Sequence, residues 1–128
     1  MIPSKLIKNA RNLLARESGT IYKQRHGKLT FALAFPNIYR LGMSSLGFQL
    51  VYSMLNAIPD VVCERVFLPE SDEIETLKRS GSRLFSLESQ TPVSEYDALG
   101  FSISFEMDYL NILQMLSLSG IPLLAAER

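Results

Sequence analysis

The sequence has few of the residues from which metal centres and disulfides are built. Among 128 residues it contains one cysteine, Cys63, one histidine, His26, and no tryptophan. A single cysteine excludes a disulfide within the chain and any cluster held only by cysteines, because such sites need several thiolates. A lone histidine in a polar stretch is typical of an exposed side chain rather than of a metal ligand or a catalytic base.

Net charge and long apolar runs are lacking as well. Thirteen basic and thirteen acidic residues cancel, so no strong field favours nucleic acid or an anionic membrane. No apolar run is long enough to span a bilayer, and basic residues interrupt the N-terminal apolar residues, which argues against a secretory signal. We therefore predict a cytoplasmic protein, with neither nucleic acid nor a membrane as its partner.

The sequence does contain an alternation of apolar strands and amphipathic helices. Segments 29–35 (LTFALAF), 61–67 (VVCERVF) and 96–105 (YDALGFSISF) have the apolar character of strands covered on both faces. Helices are predicted at 4–16, 44–58, 72–79 and 106–119, and 121–126 (IPLLAA) would start a fourth strand. In the second helix, a stripe at helical spacing predicts the face that packs on the sheet. Its members are Gly47, Leu50, Val51, Met54, Leu55 and Ile58.

This order predicts an α/β fold of the flavodoxin or Rossmann type. We expect three layers and a mainly parallel sheet of about four strands, preceded by an N-terminal helix. The second strand should lie beside the first and the third on its other side, with right-handed crossovers. Residues 1–28 would be the N-terminal helix and a linker, and 29–128 the α/β domain. The fourth strand has no helix after it, so we expect a fragment of a longer protein.

The loop after the first strand is the strongest candidate for a ligand site. In the predicted sheet, the loops after the first and third strands meet where the strand order reverses, and such folds bind ligands there. Gly42 could adopt a positive φ and aim free amides of the next helix at an anion. The residues predicted to line this site are Gly42, Met43, Ser44, Ser45, Ser102 and Ser104.

Known phosphate-binding and nucleophile motifs do not fit this loop. Gly42 and Gly47 have the glycine spacing of a P-loop. However, Phe48 and Gln49 stand where that motif needs lysine and serine or threonine. The dinucleotide pattern G-x-G-x-x-G and the nucleophile elbow are also absent. Serines at a helix start are ordinary caps, so capping remains the alternative to ligand binding.

Other polar side chains are weaker candidates. Tyr39 and Arg40 in the same loop could contact an anion. Glu106 and Asp108 could do acid–base work, but acids in the first turn of a helix also stabilise it. Cys63 alternates with apolar neighbours, as a buried and inert thiol does. No nucleophile–base pair or metal-ligand set can be assembled, so a free-standing enzyme is the least favoured hypothesis.

Three longer stretches are similar to a known family. They read FALAFPNIYRLGMSSLGFQLVYSMLN, VCERVFLPE and LFSLESQTPVSEYDALGFSISFEMDYLNILQMLSLSGIPLLAAER. Over about residues 29–128 they resemble the N-terminal region of an uncharacterised family of radical S-adenosylmethionine (SAM) proteins. In that family, the region is a cobalamin-binding-type domain that precedes a radical domain built around C-x-x-x-C-x-x-C.

The resemblance implies a non-catalytic accessory domain whose partner is the radical domain of the same polypeptide. The iron–sulfur cluster and SAM are then expected only downstream, because this chain lacks C-x-x-x-C-x-x-C. Cobalamin is the implied candidate ligand of the loops 42–45 and 102–106, although D-x-H-x-x-G, the histidine loop of many cobalamin domains, is missing here. The alternative is a structural or interaction module without a cofactor, which docks a catalytic domain through the uncovered edge of the fourth strand. The wide apolar helix 106–119 beside that sheet suggests it.

Overall fold

The computed structural model describes residues 2–103 and 108–127, and these form five α-helices and three β-strands. The strands are β1 (Leu29–Phe35), β2 (Val61–Phe67) and β3 (Ala98–Phe101). The helices are α1 (Ser4–Ala15), α2 (Tyr39–Met43), α3 (Leu46–Asn56), α4 (Ser71–Ser80) and α5 (Asp108–Leu118). This alternation of strands and helices confirms the predicted α/β class.

The three strands form one open sheet in the order β2-β1-β3, and both pairs are parallel. β1 pairs along its full length with β2, from Leu29 opposite Val61 to Phe35 opposite Phe67. β3 pairs with the other edge of β1. The predicted order and direction of these strands are confirmed. The central position of β1 explains its continuous apolar run, since a strand covered on both faces has no solvent side.

Alternate residues of β1 belong to two different hydrophobic clusters. Ala32 and Ala34 pack with side chains of α1, α4 and α5, whereas Leu33 and Phe35 pack with α3. Successive strand residues point to opposite faces of a sheet. Side chains of α3 therefore cover one face of the sheet, and those of α4 and α5 cover the other.

The predicted fourth strand is not confirmed. Within the described residues, 121–124 are irregular and Ala125–Glu127 form a short 3-10 helix. The architecture that the structure supports is an open, parallel sheet of three strands with helices. A three-layer fold with four strands is not confirmed, and β3 is an edge strand.

The helix after β1 packs on the sheet through a different face from the predicted one. The predicted helix 44–58 corresponds to α3, which runs from Leu46 to Asn56 and buries Phe48 and Tyr52. The short helix α2 precedes it, inside the predicted loop. The Phe48 ring packs against the rings of Phe35 and Phe67 in the sheet, and this aromatic contact holds its face of α3 inward. Of the predicted stripe, Leu55 is partly buried. The other members are exposed, so the prediction of their burial is wrong: Gly47, Leu50, Val51, Met54 and Ile58.

The N-terminal helix α1 packs on the domain through a single face. Its buried residues Leu6, Ala10 and Leu14 recur every four positions, as expected for a surface helix. α1 has 12 residues, fewer than a membrane span requires. In the described parts of the chain, no helix combines the length and the apolar character needed to cross a membrane.

Candidate functional site

The exits of β1 and β3 lie at the same end of the sheet, which we call the carboxyl rim. The backbone N–H of Ser102 donates to the carbonyl of Ala34 at 2.9 Å. The side-chain amide of Asn111 in α5 donates to the carbonyl of Pro36 at 2.8 Å. These two bonds hold the end of β3 and the start of α5 against the end of β1. Of the predicted site residues, Ser104 lies outside the described residues.

Gly42 is a buried helical residue, and the predicted positive φ is wrong. It lies within α2 and is not among the glycines with positive φ. A Cβ atom at this position would lie 2.8 Å from Cδ1 of Phe67 and 3.2 Å from Cδ2 of Phe35. Glycine therefore serves here to let α2 approach the two aromatic rings closely, and it does not aim backbone amides at a ligand.

The two loop serines use their hydroxyls within the loop. Ser45 is the N-cap residue of α3, and its Oγ accepts the N–H of Phe48 at 3.2 Å. The Oγ of Ser44 donates to the carbonyl of Arg40 at 3.0 Å. The capping alternative is therefore realised at Ser45. A ligand at this loop would compete with local hydrogen bonds for both hydroxyls.

Substituting the two glycines around this loop should have opposite effects on stability. Gly42→Ala is expected to cost about 1–3 kcal/mol, because its methyl group overlaps the Phe67 ring. Gly47→Ala meets no atom within 4 Å in α3. It should therefore stabilise the fold by up to about 1 kcal/mol through helix propensity. Urea unfolding of both variants measures these changes, and a neutral Gly42→Ala would show that α2 does not pack closely on the sheet.

A buried ion-pair network surrounds Arg65 of β2, whose side chain is 3% exposed. Its Nη2 lies 2.7 Å from Oε1 of Glu17, and its Nε lies 2.6 Å from Oε2 of Glu88. The ring centroid of Tyr52 is 4.5 Å from Cζ of Arg65, a distance at which the cation attracts the ring. The sulfur of Met43 lies 3.5 Å from Nη1. Met43 thus contacts this network, whereas its loop neighbours Ser44 and Ser45 bond within their own loop.

The stretch that follows α4 covers the outer edge of β2. The N–H of Leu87 donates to the carbonyl of Arg65 at 2.8 Å, and the N–H of Arg65 donates to Oε1 of Glu88 at 2.9 Å. The side chain of Glu64 points to the face of β2 opposite that of Arg65, and its buried carboxylate accepts a hydrogen bond from the hydroxyl of Ser86 at 2.8 Å. An edge strand otherwise presents unpaired backbone groups. Here the backbone of Leu87 and the side chain of Glu88 satisfy the backbone groups of Arg65 at this edge.

Sequence reasoning missed the polar cluster around Arg65 and the one around Glu64, although the sequence contains a signal for both. Glu64 and Arg65 are adjacent charges in the middle of the apolar strand VVCERVF. Neighbouring strand residues point to opposite faces, and a buried charge needs a partner. The pair therefore indicates one polar partner set on each face of β2, which is what the structure contains.

The two carboxylates that share Arg65 have pKa shifts of opposite direction. Burial raises the pKa of Glu88 above its ordinary value, even beside the Arg65 cation. Burial acts in the same direction on Glu17, but hydrogen bonds from Arg65 and from two neighbouring hydroxyls outweigh it and bring the pKa of Glu17 below its ordinary value. Folding stability should therefore depend on pH through both groups, with opposite signs.

Glu17→Gln and Glu88→Gln should change the pH dependence of stability in opposite directions. The contribution of Glu17 is present above its ordinary pKa of 4.5 and is lost as the pH falls through the lower folded-state pKa. The contribution of Glu88 is present below 4.5 and is lost as the pH rises through the higher folded-state pKa. Urea unfolding across a pH series tests this. The free energy of unfolding of the wild type minus that of Glu17→Gln should rise with pH, whereas the wild-type value minus that of Glu88→Gln should fall. Slopes of the same sign would contradict the assignment.

Two cavities open near these residues. One, of about 460 Å³, lies between α1, the end of β2 and the start of α4. The other, of about 450 Å³, lies beside Arg65, and Met43 lines it. Neither cavity is lined by Ser44, Ser45 or Ser102. Every buried side-chain nitrogen and oxygen of the described residues has a hydrogen-bond partner. The polar network therefore holds segments together and offers no unsatisfied group to a ligand.

The side chains that could bind a metal ion are dispersed. In residues 2–103 and 108–127, no group of three or more His, Cys, Asp and Glu side chains could hold an ion. Cys63 is buried in β2, as predicted, and burial raises the pKa of its thiol to about 12. A protonated thiol is a poor metal ligand. His26 is exposed in the turn before β1, at the end of that strand opposite the carboxyl rim.

Comparison with known proteins confirms the resemblance to the N-terminal region of radical SAM proteins but not its cobalamin-binding type. The family described as "Radical SAM proteins, N-terminal" matches residues 47–128. Searches of curated proteins and of solved structures each found no match. The matched region runs from the start of α3 through β2, α4, β3 and α5. Because the match covers well over half of the chain, this chain belongs to the family of N-terminal regions of radical SAM proteins.

Proposed function

We propose that this chain is a non-catalytic domain that docks against the radical domain of the same polypeptide. Its family membership supports a radical domain further along that polypeptide. A cluster of the C-x-x-x-C-x-x-C type needs three thiolates, and this chain has one cysteine, which is buried. The residues of this chain therefore do not fit the iron–sulfur cluster, and the radical chemistry belongs to the other domain.

The observation that carries this proposal is the apolar surface left on two helices. In α3, Leu50 and Met54 are each 60% exposed, and in α5, Tyr109 and Leu110 are 60% and 65% exposed. Single exposed apolar side chains are ordinary, but groups of them on one helix are typical of an interaction surface. Two such helices support a domain that is built to be covered by a partner.

The test compares this chain with the complete natural polypeptide, purified without oxygen. The complete protein should hold an iron–sulfur cluster and cleave SAM reductively, and the isolated chain should do neither. The α/β domain should also unfold at a higher temperature within the complete protein, because docking buries its apolar surface. Equal unfolding temperatures would overturn the docking role. SAM cleavage by the isolated chain would overturn the non-catalytic role.

A second candidate function is cobalamin binding at the carboxyl rim. It is supported by the strand order β2-β1-β3, which reverses between β1 and β3, and ligands of such sheets bind at that reversal. The rim residues fit cobalamin poorly, however. The only histidine of the chain, His26, lies at the other end of β1. The hydroxyls of Ser44 and Ser45 are engaged locally. Cobalamin would therefore bind without a histidine of this chain on cobalt.

A ligand titration separates the two functions. Cobalamin binding predicts that hydroxocobalamin shifts the backbone amide resonances of 42–45 and Ser102 in the isolated chain. Adenosine is a useful control, because it tests whether any flat ring system produces the same shifts. If these amides do not move at millimolar hydroxocobalamin, cobalamin binding is rejected and the docking role is unaffected.

A further inference from the structure

The two flanks of α3 differ sharply in chemistry. On one flank, the side-chain amide of Asn56 bonds both backbone groups of Cys63 in β2, at 2.8 and 3.0 Å. The ammonium group of Lys23 donates to the carbonyls of Asn56, Ile58 and Val61 on this same side. The polar flank therefore faces the outer edge of β2, and Lys23 of the segment before β1 bonds to this part of the chain.

The opposite flank of α3 is apolar and exposed. At 100° per residue, the side chains of this flank lie about 60–160° from the buried Phe48, on the side away from Asn56. They are Leu50, Val51 and Met54, and their exposed fractions are 60%, 40% and 60%. Because the polar flank faces β2 and the strand order is β2-β1-β3, this flank lies on the side of β3.

The part of the sheet beside this flank presents small residues. Gly100 of β3 pairs with Leu33, and Leu33 belongs to the cluster on the α3 face. By strand alternation, Ala98 and Gly100 point to that face, whereas Leu99 and Phe101 pack in the other cluster. The ring of Phe31 lies across Gly100, since a Cβ atom there would come within 2.7 Å of Phe31 Cζ. Ala98 and the Phe31 ring thus form an apolar floor beside the apolar wall of α3, and we call this surface the α3–β3 groove.

The edge of β3 next to this groove is also open. β2 has its outer edge covered by Leu87 and Glu88, but in residues 2–103 and 108–127 β3 pairs only with β1. α5 follows β3 on the face opposite α3. A right-handed crossover on that face carries the chain away from β1, so a strand that follows α5 adds to the outer edge of β3.

We propose that the α3–β3 groove seats an amphipathic helix of the downstream polypeptide, next to a parallel strand added to β3. This inference rests on the proposed docking function and names its contact surface. The exposed wall and the floor offer an apolar surface on which the apolar stripe of such a helix can be buried. The helix would rest on the Phe31 ring, which covers Gly100, and on Ala98. α5 then makes a separate contact on the other face of the sheet.

Thiol labelling of the complete polypeptide tests the groove directly. Met54→Cys places a thiol on the groove wall, and Ser53→Cys places one at the next position, on the other flank of the same helix. Labelling at each site is followed by mass spectrometry of peptides, so other cysteines do not interfere, and Cys63 is buried in any case. Both variants are first checked for an unchanged unfolding temperature in the isolated chain.

We expect Met54→Cys to be labelled at least about tenfold more slowly in the complete protein than in the isolated chain, because a packed site is labelled only when it opens. Ser53→Cys should be labelled equally in both. Equal labelling of Met54→Cys in the complete protein and in the isolated chain overturns the groove assignment. If the domain nevertheless unfolds at a higher temperature in the complete protein, docking occurs through another surface. Protection of Met54→Cys in the isolated chain that grows with concentration also overturns it, since a second copy would then fill the groove.

Discussion

Arg65→Met is expected to lower the free energy of unfolding by about 3–5 kcal/mol, because removing one partner of a buried ion pair leaves uncompensated charge. Arg65 donates to Glu17 and Glu88, and the side chains of these carboxylates are only 7% and 2% exposed. Without the guanidinium, two buried carboxylates lose the cation that both of them contact. Equilibrium unfolding in urea at neutral pH measures the loss.

The control for this variant removes the stranded charges as well. Arg65→Met combined with Glu17→Gln and Glu88→Gln leaves a neutral cluster of similar volume, and it should recover most of the lost stability. A smaller loss, of about 1 kcal/mol or less for Arg65→Met alone, would match an exposed pair and contradict the buried network. A loss that the triple variant does not recover would show that the guanidinium contributes mainly by its packing on Tyr52.

The pairing of β1 with β2 was predictable because these two strands are covered on both faces. The runs LTFALAF and VVCERVF are apolar along their whole length, which is typical of strands in a covered parallel sheet. Handedness of crossovers then limits the order of three strands to few arrangements, and β2-β1-β3 is one of them. Residues 121–126 are equally apolar but form no strand in the described structure, so an apolar run alone does not establish a strand.

The carboxyl rim was harder to predict, because the same residues serve two purposes. Ser45 suits both a helix cap and an anion site, and the structure shows it bonding to Phe48. Gly42 suits both a left-handed turn and a tight contact, and only the position of the Phe67 ring distinguishes them. Such contacts depend on residues distant in sequence. The spacing of glycines and serines therefore predicts where the loop lies but not whether its residues cap a helix, pack closely or bind a ligand.

The orientation of α3 shows a further limit of sequence periodicity. The helix carries an aromatic face with Phe48 and Tyr52 and an aliphatic flank with Leu50 and Met54. Both recur at helical spacing, so periodicity identifies two apolar surfaces and does not say which one meets the sheet. The aliphatic flank was predicted to be core. In the structure it is exposed, which fits a surface reserved for a partner in the proposed docking role.

Phe48→Ala and Leu50→Ala should separate these two surfaces of α3. Phe48 is fully buried and stacks edge-on against Phe35, with ring centroids 5.4 Å apart. Its truncation is expected to cost about 3–5 kcal/mol in the isolated chain, through lost burial and a cavity. Leu50 is 60% exposed, so Leu50→Ala should change the stability of the isolated chain by no more than about 0.5 kcal/mol.

Urea unfolding of the isolated chain measures both variants, and the complete polypeptide supplies the contrast. If the flank of Leu50 is a docking surface, Leu50→Ala becomes costly only where the rest of the protein covers it, whereas Phe48→Ala costs the same in both contexts. A large loss for Leu50→Ala in the isolated chain would mean that the aliphatic flank is core after all. In that case α3 would have to be rotated by about a third of a turn on the sheet, and Arg65 would lose its contact with Tyr52.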